Sequence, residues 1–341
     1  MGKPPSTAPS ISIDMHAHAL VARADQIARA DPGFAREIEQ RARGDGEAST
    51  RHNLELFVQS YRAELMELPR RLAAMDAMGI DLQAVSLSPT QYHYWADPEL
   101  ARALVRAANE GLAELCAGAG GRLLALATVA LQHPELAVEQ LTHAITELGA
   151  RGVQISTRIG EHELDDPRFD PFWRCAERLQ AVVFIHPLGC SLGQRIADHY
   201  LSNVIGQPIE TTIALSRLIF GGVLDRFPEL RLCAAHGGGY LPYYLGRSEH
   251  AYRVRPESRG MREPPRAYLR RIWFDSLVYE PSALRQLVSE VGASQVVLGT
   301  DFPFDMGVRD PLDRLRAVPG LSSAEQAAIA GANAAALLGR D

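Results

Sequence analysis

Short apolar runs alternate with longer helical patterns along the whole chain. Near-continuous apolar runs predict strands over Ile11–His16, Ala84–Ser88, Leu123–Val129, Val153–Ser156, Val182–His186, Arg231–His236, Ile272–Ser276 and Val296–Asp301. Apolar residues at helical spacing fill the gaps, near Leu68–Gly79, Glu99–Cys116, Pro134–Gly149, Pro171–Leu179, Pro208–Leu224, Leu241–Tyr252 and Pro281–Gly292. Pro134, Pro171, Pro208 and Pro281 suit first helical turns, where a missing N–H is harmless, and Gly79, Gly149 and Gly292 suit helix ends. The stretch Ser322–Leu338 opens on Ser-Ser-Ala-Glu, a capping pattern, and predicts a closing helix.

Strands that are apolar on both faces and separated by helices pair in parallel beneath those helices. Eight such units predict an α/β fold, a (β/α)8 TIM barrel. An open doubly wound sheet would use fewer strands and a Gly-rich first turn, whereas the first turn here reads His-Ala-His. The segment Arg23–Arg51 breaks the rhythm, being long and charged directly after strand one. It predicts an insertion over the barrel mouth, spanning about residues 23–60. The rest is expected to be a polar tail over 1–10 and one barrel domain over 11–341.

Composition narrows the chemistry. Hydrophobic residues make up 46% of the 341 and charged residues 22%, which excludes disordered and coiled-coil classes. The net charge of −6, without a long basic run, gives no sign of a nucleic-acid partner. Lys3, in the tail, is the only lysine. Schiff-base aldolases, pyridoxal-phosphate enzymes and Walker-type phosphate loops each need a lysine inside the fold, so all three are excluded. Cys116, Cys175, Cys190 and Cys233 form no C-x-x-C pair, which suits a reducing, cytoplasmic setting without disulfides. Residues 1–10 lack the apolar core of a signal peptide, and no run approaches the ~18 apolar residues of a membrane span.

Active sites of such barrels lie at the C-terminal ends of the strands, and the ionisable residues there form one set. His16 and His18, two apart on strand one, face the same way because strand side chains repeat every two residues. Strand five ends at His186, strand six at His236 and strand eight at Asp301. Each alone has an ordinary explanation: a pair of satisfied histidines, a core or helix-cap histidine, a carboxylate capping the next helix. Four strand ends each carrying a metal-type ligand instead favour a divalent metal site.

This pattern makes the chain similar to the amidohydrolase superfamily, in which His-x-His on strand one, His on strands five and six and Asp on strand eight surround the metal. Binuclear members add a bridging carboxylated lysine on strand four. Strand four here reads Val153-Gln154-Ile155-Ser156, so the resemblance implies a single ion, Zn²⁺ first and Mn²⁺ as the alternative. More narrowly, from Ile13 to about Leu338 the chain resembles the α-amino-β-carboxymuconate-ε-semialdehyde decarboxylase family and related non-oxidative decarboxylases. The landmarks are Met75-Asp76-Ala77-Met78-Gly79-Ile80-Asp81, His186-Pro187 with Gly193-Gln194-Arg195, and His236-Gly237-Gly238-Gly239 with Leu245-Gly246-Arg247. Phe274-Asp275-Ser276 and Gly299-Thr300-Asp301-Phe302-Pro303-Phe304 complete them.

The resemblance implies that His16, His18, His186 and Asp301 hold the metal, with His236 the catalytic acid/base beside it and Asp301 sharing in catalysis. It also implies that Arg247 binds the carboxylate of a small-molecule substrate, reaching in from the partner subunit of a homodimer or larger homo-oligomer. The family's arginine in the strand-one insertion matches Arg51 or Arg62, and its Trp-Asp after the His-Pro is Leu188-Gly189 here. The activity implied is metal-dependent decarboxylation of an aromatic or muconate-type acid. Imidazole exchanges protons near neutral pH, which fits His236 either for protonating the carbon that loses CO₂ or for deprotonating a metal-bound water that attacks the substrate first. The rivals are a hydrolase of a lactone, amide or C–C bond, a hydratase, and a metal-binding barrel without catalysis.

Overall fold

The computed structural model describes residues 11–340, so the tail expected over 1–10, with Lys3, lies outside the described residues. Eight parallel strands form the barrel: β1 Ile13–Ala19, β2 Leu82–Leu87, β3 Leu123–Ala127, β4 Gly152–Ile155, β5 Val182–Ile185, β6 Arg231–Ala234, β7 Trp273–Asp275 and β8 Val296–Val297. They pair in chain order from β1 to β8. Met15 N–H donates to the Leu298 carbonyl, Asp301 N–H to that of His16, and His18 N–H to that of Phe302, so the segment after β8 closes the barrel onto β1.

Every residue of β1, β2, β4 and β5 is buried, as strands covered on both faces must be. Facing the helices, Val153, Ile155, Val183, Ile185, Leu232 and Phe274 pack with Leu141, Trp173, Leu218 and Leu287. Inside the barrel, Ile13, Met15, Ala84, Leu126, Phe184 and Cys233 pack with Leu337 and Leu338, which plug its floor. The interior is a filled core, and function is confined to its upper rim.

The clearest departures from the sequence reading lie in β1, in β8 and in the closing helix. β1 runs on to Ala19 instead of stopping at His16, because His18 and Ala19 keep pairing with Ser86 and Leu87 of β2. Its register slips between Asp14 and Ala17, a bulge that resets the side-chain alternation. Met15 and His16 therefore both face the interior, Met15 in the inner cluster and the His16 ring 5.0 Å from that of Phe184. β8 stops at Val297, because Leu298 gives its N–H to Ile329 and its carbonyl to Met15. The closing helix is broken by a wide turn over Ala328–Ala332. Gly331 lies there against the Ile11 carbonyl, with no room for a Cβ. Its start is as expected, with Ser322 and Glu325 forming a capping box.

After β1 the chain forms helices Ala22–Arg29, Pro32–Asp45, Glu47–Leu56 and Arg62–Met66. Glu37 bonds His93 and Trp95 in the loop after β2, the Arg43 carbonyl accepts from Gln194 after β5, and the Tyr61 hydroxyl accepts from Asp305 N–H after β8. These loops all leave the C-terminal ends of strands, so the segment sits over the mouth.

Candidate metal centre

β1 supplies His16 and His18, and His186 follows β5 directly. Asp301 lies in the closing segment, with its backbone in the left-handed region at φ 57°. Each of these four residues offers one ligand atom, and those atoms all lie within 4.8 Å of one another. The three imidazole rings sit 4.9–5.1 Å apart, centroid to centroid. Asp301 Oδ1 lies 3.3 Å from His16 Nε2 and 3.1 Å from His18 Nε2.

Hydrogen bonding at the far side of each ring fixes what faces the centre. His18 Nδ1 contacts the Leu87 carbonyl at 3.2 Å, and His186 Nδ1 contacts the Pro187 carbonyl at 2.9 Å. A carbonyl oxygen can only accept, so both Nδ1 atoms carry the proton and both Nε2 atoms present bare lone pairs. His16 Nδ1 is held by Asp275 Oδ2 at 2.6 Å, the carboxylate–histidine pairing that orients a metal ligand. His16 Nε2, His18 Nε2, His186 Nε2 and Asp301 Oδ1 are all buried without a hydrogen-bond partner. Buried polar atoms are rarely left so, and four of them converging, three nitrogens and an oxygen, fit a divalent metal ion.

The charges agree. Burial favours a neutral His16, but the Asp301 and Asp275 carboxylates outweigh it and push its pKa up to about 10. Burial would raise Asp301, yet the His16 charge and the surrounding imidazoles hold it well below the usual carboxylate range. Burial, reinforced by the other histidines, drives His186 well below the ordinary imidazole value. His18 is lowered too, burial outweighing Asp301. His18 and His186 are thus held neutral beside an ionised Asp301, the states that ligation requires, whereas the two carboxylates favour a protonated His16, whose Nε2 proton an ion would have to displace.

His236 stands just past the end of β6, at φ 54°, with its N–H on Asp275 Oδ2 at 2.9 Å. Its Nε2 lies 3.6 Å from Asp301 Oδ2, and its ring 5.0 Å from that of His186. It borders the centre without joining the four-residue cluster.

The arginines lie elsewhere. Arg247, on helix Leu245–Val254, is exposed and has no hydrogen bond or ion pair among the described residues. Of the ordinary partners it could have taken, Glu249 accepts Arg266 N–H and Asp275 is buried against His16. Arg51 and Arg62 are also exposed and unpaired among the described residues.

The supporting network was not read from the sequence. Asp275 binds His16 and the N–H groups of His236, Gly237 and Leu277. Asp14 accepts from His16 N–H, Thr300 N–H, the Thr300 hydroxyl and Gln83. Gln83 in turn accepts from Arg71 at 2.6 Å, and Arg71 also donates to the His18 carbonyl. The available signal was a polar residue within an apolar strand, as Asp14, Gln83 and Asp275 all are.

A family model described as Amidohydrolase matches residues 13–340. The 2-amino-3-carboxymuconate-6-semialdehyde decarboxylase of Dictyostelium discoideum is 35% identical over 273 residues, which cover 80% of this chain and 76% of that protein. The crystal structure of 5-carboxyvanillate decarboxylase from Sphingomonas paucimobilis aligns over 96% of this chain and 99% of its own, with 25% identity and a TM-score of 0.82. That of the same enzyme from Novosphingobium aromaticivorans, complexed with manganese and 4-hydroxy-3-methoxy-5-nitrobenzoic acid, aligns over 97% and 96%, with 25% identity and a TM-score of 0.81.

Proposed function

The chain belongs to the amidohydrolase family, and from that premise we propose that it is a metal-dependent, non-oxidative decarboxylase, a carbon–carbon lyase acting on a small aromatic or muconate-type carboxylic acid. The relatives named above are decarboxylases of such acids. The observation that carries the reading is the convergence of four orphaned, buried ligand atoms at the barrel mouth, with His236 beside them.

His16, His18, His186 and Asp301 would hold one ion. We assign zinc, which three imidazoles and a carboxylate suit, with manganese, present in a relative's structure, as the alternative. When bound, the ion supplies a Lewis acid that stabilises negative charge developing on a substrate oxygen. Loss of CO₂ breaks a C–C bond and leaves its electron pair on the substrate carbon, which must then be protonated. His236, aligned through Asp301 Oδ2, holds that proton on Nε2 and delivers it.

The substrate carboxylate calls for a planar, two-pronged cation. Arg247 is free on its own subunit's surface, and we place it in the mouth of a neighbouring subunit of a homodimer or larger assembly. Arg51 and Arg62, on the segment over the mouth, are the second-rank anchors. The four unpaired cysteines are in keeping with a reducing, cytoplasmic setting, and no helix among the described residues is long and apolar enough to cross a membrane.

The test is His236→Ala. That variant is expected to keep its metal by elemental analysis and to lose turnover by ~10²–10⁴-fold, the usual range for a general acid or base. Near-normal turnover would remove His236 from the chemistry.

A further inference from the structure

The register slip between Asp14 and Ala17 leaves Met15 and His16 out of step with β2, and side chains hold the backbone there. His16 N–H goes to Asp14 Oδ1 at 3.0 Å, and the His18 carbonyl accepts from Arg71. Gln83 joins the two, accepting from Arg71 at 2.6 Å and donating to Asp14 Oδ2 at 2.9 Å. Asp14 also takes the Thr300 N–H at 3.0 Å and its hydroxyl at 2.6 Å, one residue before Asp301. We propose that Arg71 is a positioning residue for the metal centre, fixing His18 directly and His16 and Asp301 through Gln83 and Asp14. This deepens the metal-dependent reading and rests on it.

Arg71, on helix Leu68–Met78, is 1% exposed, too deep to meet a substrate. Its hydrogen bonds all go to neutral oxygens: the Gln83 amide and the His18 and Glu64 backbone carbonyls. Its guanidinium also lies over the Phe302 ring, 5.0 Å from the centroid, and the Phe302 carbonyl holds His18 N–H at 2.8 Å. A buried cation without a paired carboxylate is costly, and apolar residues of similar size commonly serve a core as well or better. Stability alone therefore does not account for Arg71. What an apolar residue could not do is grip two chain segments at once, which the fixed fork of a guanidinium does. Asp14, Gln83 and Thr300 are fully buried too, so the chain of bonds is shielded from water throughout. Of the four candidate ligands, only His186 stands outside this clamp, just past the end of β5.

Zinc titration of the metal-free protein against a competing chelator tests this without turnover, and the visible spectrum of the cobalt(II)-loaded protein reports the ligand geometry. Arg71→Met, apolar and of similar length, is expected to weaken zinc affinity ~10–100-fold, the range for groups that orient ligands, and to shift the cobalt bands. Arg71→Lys, which keeps a donor, should recover part of that loss. Leu141→Ala, a cavity in the helix-facing core, should lower the melting temperature of the metal-free protein yet leave zinc affinity within about twofold. Unchanged affinity and cobalt spectrum in Arg71→Met would overturn the proposal, as would an equal loss of affinity in Leu141→Ala. Should Arg71→Met not fold, Gln83→Met, which cuts Arg71 from Asp14, is judged on the same two readouts. If the unmodified protein takes up no ion, the metal reading fails and the positioning role falls with it. If it takes up one ion and the variants hold it equally well, the positioning role alone fails.

Discussion

The three imidazoles of the candidate centre differ in what grips their outer nitrogen. His18 and His186 lean on backbone carbonyls, whereas His16 leans on the buried carboxylate of Asp275. That carboxylate also fixes the backbone on which His236 turns into the centre, so one side chain positions both a candidate ligand and the proposed acid/base. Asp275→Asn keeps the shape and removes the charge. It is expected to weaken metal affinity by ~10–100-fold, the usual effect of an outer-shell partner, measured by competition with a chelator; unchanged affinity would reduce Asp275 to a structural role. His16, His18, His186, His236 and Asp301 were legible because each falls at or just past the end of an apolar run. Asp275 was not, because its meaning lies in a contact with a residue 259 positions away, and nothing local in Trp-Phe-Asp announces that pairing.

At the scale of elements, strand order and helix placement followed from periodicity alone, since parallel strands covered on both faces are apolar throughout. Strand ends did not follow, because they depend on neighbours: β1 is prolonged by β2, and β8 is cut short by the Ile329 carbonyl. The segment after β1 was visible as a charged interruption, and its docking rests on Glu37, whose carboxylate is 14% exposed. Burial would raise the Glu37 pKa from 4.5, but the His93 hydrogen bond and charge, with Arg41 and Trp95, hold it lower. A carboxyl depressed in the folded state stabilises the fold above its unfolded value near 4.5, and that contribution is lost as pH falls through the folded value. Glu37→Gln should therefore be less stable than the unmodified protein at pH ~7, and the difference should shrink steadily below pH ~4.5. Urea unfolding across that range measures it, and a difference independent of pH would contradict the ionic account of the dock.

At the scale of the molecule, the barrel was legible in the sequence because strand count and helix alternation are global regularities. The proposed reach of Arg247 into a neighbouring subunit came from the family resemblance, and it concerns a surface that the chain's own contacts leave open. Arg247 stands eleven positions beyond His236, in the first turn of helix Leu245–Val254, exposed and unpaired among the described residues. Two-fold symmetry would make the sharing reciprocal. Mixing the inactive variants Arg247→Ala and His236→Ala should therefore restore part of the activity, because one site of each hybrid dimer receives both intact residues. No recovery despite demonstrated subunit exchange would refute the shared site.

The central claim, that this barrel removes a carboxylate as CO₂ at one metal centre, has a direct measurement. The metal-stripped protein is incubated with a panel of aromatic and muconic carboxylates, and released CO₂ and bicarbonate are quantified as zinc or manganese is titrated back. The account predicts release that is absent without metal, saturates at one ion per chain, and is accompanied by loss of one carboxylate from the product. Saturation at two ions, or metal-dependent turnover of lactones or amides with no CO₂ from any carboxylate, would contradict it.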